Sequence, residues 1–361
     1  MKKLPYFILI AVASFFSCSS NDDATETIPS VDELYFPPVN SDTWETSTVS
    51  EIGWNASELQ PLLSYVESKG TKAFLILKNG KMIVEWYGNG ENAISNLPWN
   101  SAAKTLVAFT TGIAQNEGYL NINEPSNKYL GKGWTSLTTQ QEDNITIWNH
   151  LTMTTGLDYL VPNNNCTDPE CLIYKDEPNS FWYYHNAAYT KLHNIVAGAV
   201  GNDFDSYFND KLKDKIGMQG FWIPFGYFKL YYSNARSMAR FGLLNLNKGV
   251  WNDSVVLDDS DYFNAMTTTS QNHNKAYGYL WWLNGKESFR GPGLTLEFQG
   301  KLIPNAPNDL IAGLGKNDQK MYVVPSQKLV IIRMGDDAGE ALLGPSSFDN
   351  DLWGEINKLI N

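Results

Sequence analysis

Apolar and polar positions along this chain change their rhythm twice. Residues 19–50 are polar, broken by Pro29, Pro37 and Pro38, and read as a linker passing into an extended arm. Residues 55–68 carry apolar side chains at helical spacing, with Asn55 as N-cap and Gly70 beyond the end, which predicts an amphipathic helix. The apolar runs 73–77 and 82–87 flank Lys78-Asn79-Gly80-Lys81, and the Asn-Gly pair predicts a β-hairpin. Helical spacing then takes over at 102–114, 145–156, 186–201, 204–216 and 234–246. From about residue 276 short apolar runs return at 277–283, 310–314, 321–324 and 329–334, between Gly, Asn and Pro signals, and predict strands. Residues 348–360 predict a closing helix. This order predicts an α+β fold. The terminal parts (51–96 and 275–361) join into one antiparallel sheet flanked by helices, and 97–274 form an inserted all-helical subdomain. One domain, 51–361, follows, with its cleft between the two parts.

Composition narrows the possibilities. The chain has 361 residues, 43% of them hydrophobic and 13% aromatic, enough to bury a sizeable core rather than stay disordered. A net charge of −12 argues against nucleic acid, whose binding needs clustered Lys and Arg. His150, His185, His193 and His273 are scattered with no His-x-x-x-His pair, so no dedicated metal site is expected. Lys2 and Lys3 precede an apolar run at 6–16 and then Ser17-Cys18, which predicts a secretory signal over 1–17. The run is too short to be a permanent membrane span. Phe15-Phe16-Ser17-Cys18 resembles a bacterial lipoprotein signal, which would make Cys18 the lipidated first residue and 18–50 a tether and arm. That predicts a lipid-anchored protein of the bacterial cell envelope. Cys166 and Cys171 remain, flanking Thr-Asp-Pro-Glu in a polar loop, and in an oxidising compartment they predict a short-loop disulfide.

The segment with chemical promise is Trp99-Asn100-Ser101-Ala102-Ala103-Lys104. Pro98 closes what precedes it, and Asn100 or Ser101 can cap the helix that follows. Lys104 sits in the first turn of a helix apolar on most sides, three residues after Ser101 and on the same face. A buried lysine is costly unless paired or neutralised, and beside a serine hydroxyl it can help create a nucleophile.

With these residues the chain resembles the serine β-lactamase and penicillin-binding-protein superfamily over roughly residues 50–360, and most of all its class C β-lactamase, DD-peptidase and esterase branch. The first motif matches Ser101-Ala-Ala-Lys104. Segments 145–158 and 233–244 are similar to others typical of that branch. The second motif, Tyr-x-Asn, has literal matches beginning at Tyr87, Tyr184, Tyr207, Tyr232 and Tyr262. Tyr184-His185-Asn186 precedes the helix beginning Ala187-Ala188-Tyr189 as the family pattern requires, whereas Tyr232-Ser-Asn234 runs into the separate segment 233–244 and Tyr87 lies at a hairpin end. The third motif, Lys-Thr-Gly on a strand facing the serine, is best matched by Lys316-Asn317-Asp318. Asn317 can donate as the threonine would, while Asp318 stands where glycine is usual and brings a carboxylate toward the substrate.

The resemblance implies a β-lactamase/transpeptidase-like fold and a cofactor-free serine hydrolase acting on a small-molecule or peptide ester or amide. Ser101 attacks a carbonyl. Lys104 and Tyr184 share its proton, with Tyr184 anionic or hydrogen-bonded between two lysines, and Tyr184 serves both acylation and deacylation. Asn186 holds the substrate amide or Lys104. The N–H groups of Ser101 and Gln319 form the oxyanion hole. Trp222 and Tyr227 are candidate walls of an acyl pocket. The alternative is a catalytically weak penicillin-recognising sensor domain of the same fold.

Overall fold

The computed structural model describes Met1, residues 34–339 and residues 344–361. Residues 2–17 of the expected signal segment, Cys18 and the first part of the expected tether lie outside the described residues. Residues 34–361 form one compact unit. The arm ahead of residue 51 belongs to it: Trp44 is buried and donates its indole N–H to Gly80 O, and Arg240 donates to the carbonyls of Pro37, Pro38 and Ser41.

The first helix, α1 (Leu59–Ser68), follows a short 3-10 turn capped by Asn55, whose side chain accepts from Ser57 N–H. β1 (Thr71–Lys78) and β2 (Lys81–Tyr87) form the expected hairpin. Asn79 and Gly80 both take positive φ (51° and 82°), as a tight hairpin with right-handed strand twist requires. The two-residue strand β3 (Leu97–Pro98) leads through a 3-10 turn (Asn100–Ala103) into α2 (Lys104–Asn116). Then come α3 (Ile147–Thr152), α4 (Asn186–Val200), β4 (Phe221–Phe225), β5 (Phe228–Ser233) and α5 (Ala235–Leu246). β6 (Trp282–Leu283), β7 (Ile311–Gly315), β8 (Gln319–Val324), β9 (Leu329–Gly335) and α6 (Ser347–Ile360) complete the framework.

The central sheet is antiparallel, in the order β2-β1-β9-β8-β7-β6. It unites the two ends of the chain, as the order of elements predicts. β1, β8 and β9 read as nearly continuous apolar runs because both sheet faces are covered. α5 lies on one face, where Gly242 lets the helix approach: a Cβ there would sit 2.5 Å from Val330 Cγ1. α1 and α6 pack together by β1.

Two elements depart from the expected pattern. The block 97–274 is not all-helical, since it carries the β4–β5 hairpin, which pairs with β3 at Leu97 and Pro98. The run 277–283 is strand only at its last two residues, because Leu280 turns left-handed (φ 61°) and breaks the extension.

Candidate active site

The short strand β3 aims the nucleophile segment. Pro98 pairs with Tyr232, and Trp99 N–H donates to Tyr231 O at 2.9 Å. The fully buried Trp99 ring packs edge-on to Tyr231, and its indole N–H donates to Ser233 Oγ at 2.7 Å. Chain direction changes at Asn100, which takes a left-handed φ of 49°. That conformation suits asparagine better than most residues. Asn100 does not cap the helix, and neither does Ser101. The Asn100 side-chain amide donates instead to Lys316 O at 2.7 Å.

Ser101 is half-buried at this turn and Lys104 is buried. Lys104 Nζ lies 3.0 Å from Ser101 Oγ, the contact that the three-residue spacing predicts. The ammonium also faces two aromatic rings, Tyr184 at 4.8 Å and Tyr189 at 4.3 Å from their centroids. Rings help a desolvated cation less than a carboxylate would. Burial therefore pulls the Lys104 pKa from 10.5 down to about 7.

Tyr184 immediately precedes α4. It is buried, stacked on Trp282 (6.0 Å, 19°) and edge-on to Tyr277. Burial raises the phenol's pKa, and the Ser101 side chain acts weakly against this. Beyond that influence its hydroxyl has no hydrogen-bond partner among the described residues. The resemblance implies a Tyr184 that is anionic or hydrogen-bonded between two lysines; no lysine hydrogen-bonds its hydroxyl among the described residues, and burial favours the protonated phenol. Lys104, not Tyr184, is the group tuned near neutral pH.

Three other candidate side chains, those of Asn186, Tyr227 and Trp222, are engaged elsewhere, and the Gln319 side chain braces the turn beside Gly315. The Asn186 side-chain amide donates to Asn165 Oδ1 at 2.8 Å, and among the described residues the hydrogen bond of Lys104 Nζ goes to Ser101 rather than to Asn186. Asn165 directly precedes the loop closed by the Cys166–Cys171 disulfide, which is formed (Cα–Cα 5.8 Å). Tyr227, exposed between β4 and β5, donates its hydroxyl to Asp168 inside that disulfide loop, at 3.1 Å. Trp222 is a core residue, packed among His193, Phe204, Phe208 and Tyr231. Gln319 opens β8 opposite Gly315, and its side-chain amide donates to Asn317 O and Gly335 O.

The third-motif expectation changes most. Lys316, Asn317 and Asp318 do not lie on a strand facing the serine. They form the turn between β7 and β8, with positive φ at Asn317 (59°) and Asp318 (52°), and Lys316 is exposed. Asp318 is buried in an ion pair with Lys320 at 3.0 Å rather than presented at the surface. Burial alone would raise its pKa. The Lys320 charge, the Ser346 hydroxyl and the Ala338 N–H outweigh it and hold the carboxyl below its ordinary value. The strand packed on the nucleophile segment is β7, through two glycines that spacing alone did not single out. A Cβ on Gly315 would lie 2.5 Å from Trp99 O, and one on Gly313 would lie 3.3 Å from Thr105 Cγ2. Their alternation within an apolar strand is the signal of a close backbone approach. Tyr189 and Trp282, which frame Lys104 and Tyr184, were equally unmarked.

A Ser-x-x-Lys helix set against the glycine edge of an antiparallel sheet, with a helical block beside it, defines a β-lactamase/transpeptidase-like protein. The chain belongs to the beta-lactamase family, whose model matches residues 67–341. Solved structures agree on the fold. A protein provisionally assigned as a 6-aminohexanoate-dimer hydrolase from Bacillus anthracis superposes with a TM-score of 0.67 at 18% identity, covering 90% of this chain and 88% of that one. A penicillin-binding protein from Bacillus halodurans gives 0.59 at 14% identity, covering 83% and 100%. A family VIII carboxylesterase gives 0.62 at 12% identity, covering 85% and 99%. No curated protein matches the chain.

Proposed function

We propose that this chain is a serine hydrolase that cleaves a small ester or amide through an acyl-enzyme on Ser101. The observation that carries the reading is the 3.0 Å contact between Ser101 Oγ and a buried Lys104 whose pKa has fallen to about 7. Near neutral pH much of Lys104 is an uncharged amine able to accept the serine proton. The hydroxyl attacks the carbonyl carbon, and the developing oxyanion meets backbone N–H groups at the start of the helix, where the dipole is favourable. Tyr184, neutral and next to Ser101, relays the proton to the leaving group and orients the water that later cleaves the acyl-enzyme.

A buried Asp318 removes the objection that a carboxylate at this position repels an acidic substrate. Lys316 in an exposed turn still differs from a strand lysine positioned for a β-lactam carboxylate. Esters and simple amides are therefore favoured over β-lactams. A panel of p-nitrophenyl acetate and butyrate, nitrocefin and a D-Ala-D-Ala peptide tests this. Ester turnover should exceed nitrocefin turnover at least tenfold. Nitrocefin as the best substrate would overturn the preference.

The N-terminal pattern supports attachment to the bacterial envelope through a lipid on Cys18. Cys18→Ser should move the protein from the membrane fraction to the soluble periplasmic or secreted fraction. Unchanged membrane association would contradict lipid anchoring.

A further inference from the structure

The turn at 316–318 is held more tightly than a surface hairpin requires. Each of its three carbonyls accepts a hydrogen bond from a distant side chain. Lys316 O takes the Asn100 amide at 2.7 Å. Asn317 O takes Arg333 Nη1 at 2.9 Å and Gln319 Nε2 at 2.8 Å. Asp318 O takes Arg333 Nη1 at 3.1 Å. Arg333 is fully buried and also donates to Lys69 O and Thr71 Oγ1, so it is fixed from both sides. The Asp318 carboxylate completes the anchoring. It pairs with Lys320 and accepts from Ser346 Oγ at 2.7 Å and Ala338 N at 3.0 Å. Lys320 in turn meets Asp349 at 2.8 Å. Two buried cations thus balance two buried carboxylates beneath one turn. Burying so many charges is a poor way to gain stability, since well-packed apolar groups often do as well or better.

This turn continues β7, whose Gly315 touches Trp99 and Ala102 on either side of Ser101. Asn100, the residue directly before Ser101, grips the turn from the other direction. We propose that the 316–318 turn is a positioning element for acyl transfer, clamped between Asn100 and Arg333 and anchored by Asp318, so that the β7 edge and Ser101 keep a fixed separation. The inference rests on the serine-hydrolase reading above. Displacements of about 1 Å at a reacting centre cost up to about a hundredfold in rate. A clamp that prevents them acts on kcat more than on KM.

Asn100→Gly keeps the left-handed backbone available and removes only the amide. Asp318→Asn keeps the shape and removes the anchoring charge. With p-nitrophenyl acetate, Asn100→Gly should lower kcat about tenfold or more while KM changes less than twofold, and labelling of Ser101 by a fluorophosphonate should slow in parallel. Asp318→Asn should do the same if it folds; should it not fold, Asn100→Gly decides alone. A kcat within twofold of wild type for Asn100→Gly, or a loss confined to KM, overturns the clamp. Wild-type protein that never labels overturns the hydrolase reading, a result distinct from labelled wild type with an unaffected variant.

Discussion

Replacing Ser101 with alanine is expected to reduce ester turnover by roughly 10³-fold or more, a barrier increase of about 4 kcal/mol. The hydroxyl forms the covalent bond, so no neighbouring group can take over its part. The roles given to Lys104, Tyr184 and the helix dipole all presuppose the covalent bond that this oxygen makes. The fold should hardly notice. Ser101 is half-buried at a helix start, and alanine suits a helix, so the stability change should stay within about 0.5 kcal/mol. Steady-state kinetics beside a thermal melt separate the two effects. Residual activity above one tenth of wild type, in a folded variant, would remove Ser101 from the mechanism.

Lys104→Met should bring a comparable loss of activity with the opposite effect on stability. Methionine fills much the same space between the Tyr184 and Tyr189 rings without needing a proton partner. In the wild type the folded pKa of about 7 lies below the ordinary lysine value of 10.5. Between those values the unfolded chain binds more protons than the folded one, so wild-type stability rises with pH across about 7 to 10.5 and is flat below. The variant lacks this dependence. It should be more stable than wild type at pH 7, by an amount on the order of a few kcal/mol, with the advantage shrinking toward pH 10. Wild-type kcat/KM should rise with pH through about 7 as the free amine forms. Urea melts at several pH values and a pH–rate profile check both. Activity that is flat from pH 5 to 9, or a Met variant less stable than wild type at pH 7, would show that Lys104 is not the desolvated base.

Local rules made much of this molecule legible. The Asn79-Gly80 turn, the Asn55 cap, the Ser101–Lys104 face and the Cys166–Cys171 bond each depend on residues close in sequence. Their geometry follows from spacing. Choosing Tyr184 among five Tyr-x-Asn matches needed two further facts, that a helix starts at the next residues and that Tyr232, which also precedes a helix, runs into the separate segment 233–244.

What spacing could not reveal depends on which side of the chain the fold covers. Lys316-Asn317-Asp318 has the composition of a catalytic strand motif, yet two consecutive left-handed residues make it a turn. Asp318 then meets Lys320, a partner visible only once the turn is drawn. Asn186 and Tyr227 were expected at substrate and instead fasten the disulfide loop, because that loop folds back over the start of α4. Trp222 is buried by Phe204 and Phe208 on a helix that no local signal ties to β4. The β4–β5 hairpin itself was hidden by a proline and by neighbours with strong helical spacing.

The most direct test of the central claim is to locate the covalent adduct. Wild-type protein treated with a fluorophosphonate at pH 8 and digested should carry a single added mass on the peptide containing Ser101. The adduct should be absent from Ser101→Ala and form much more slowly in Lys104→Met. An adduct on another residue, or full esterase activity in protein whose Ser101 peptide stays unmodified, would contradict the assignment of Ser101 as the nucleophile.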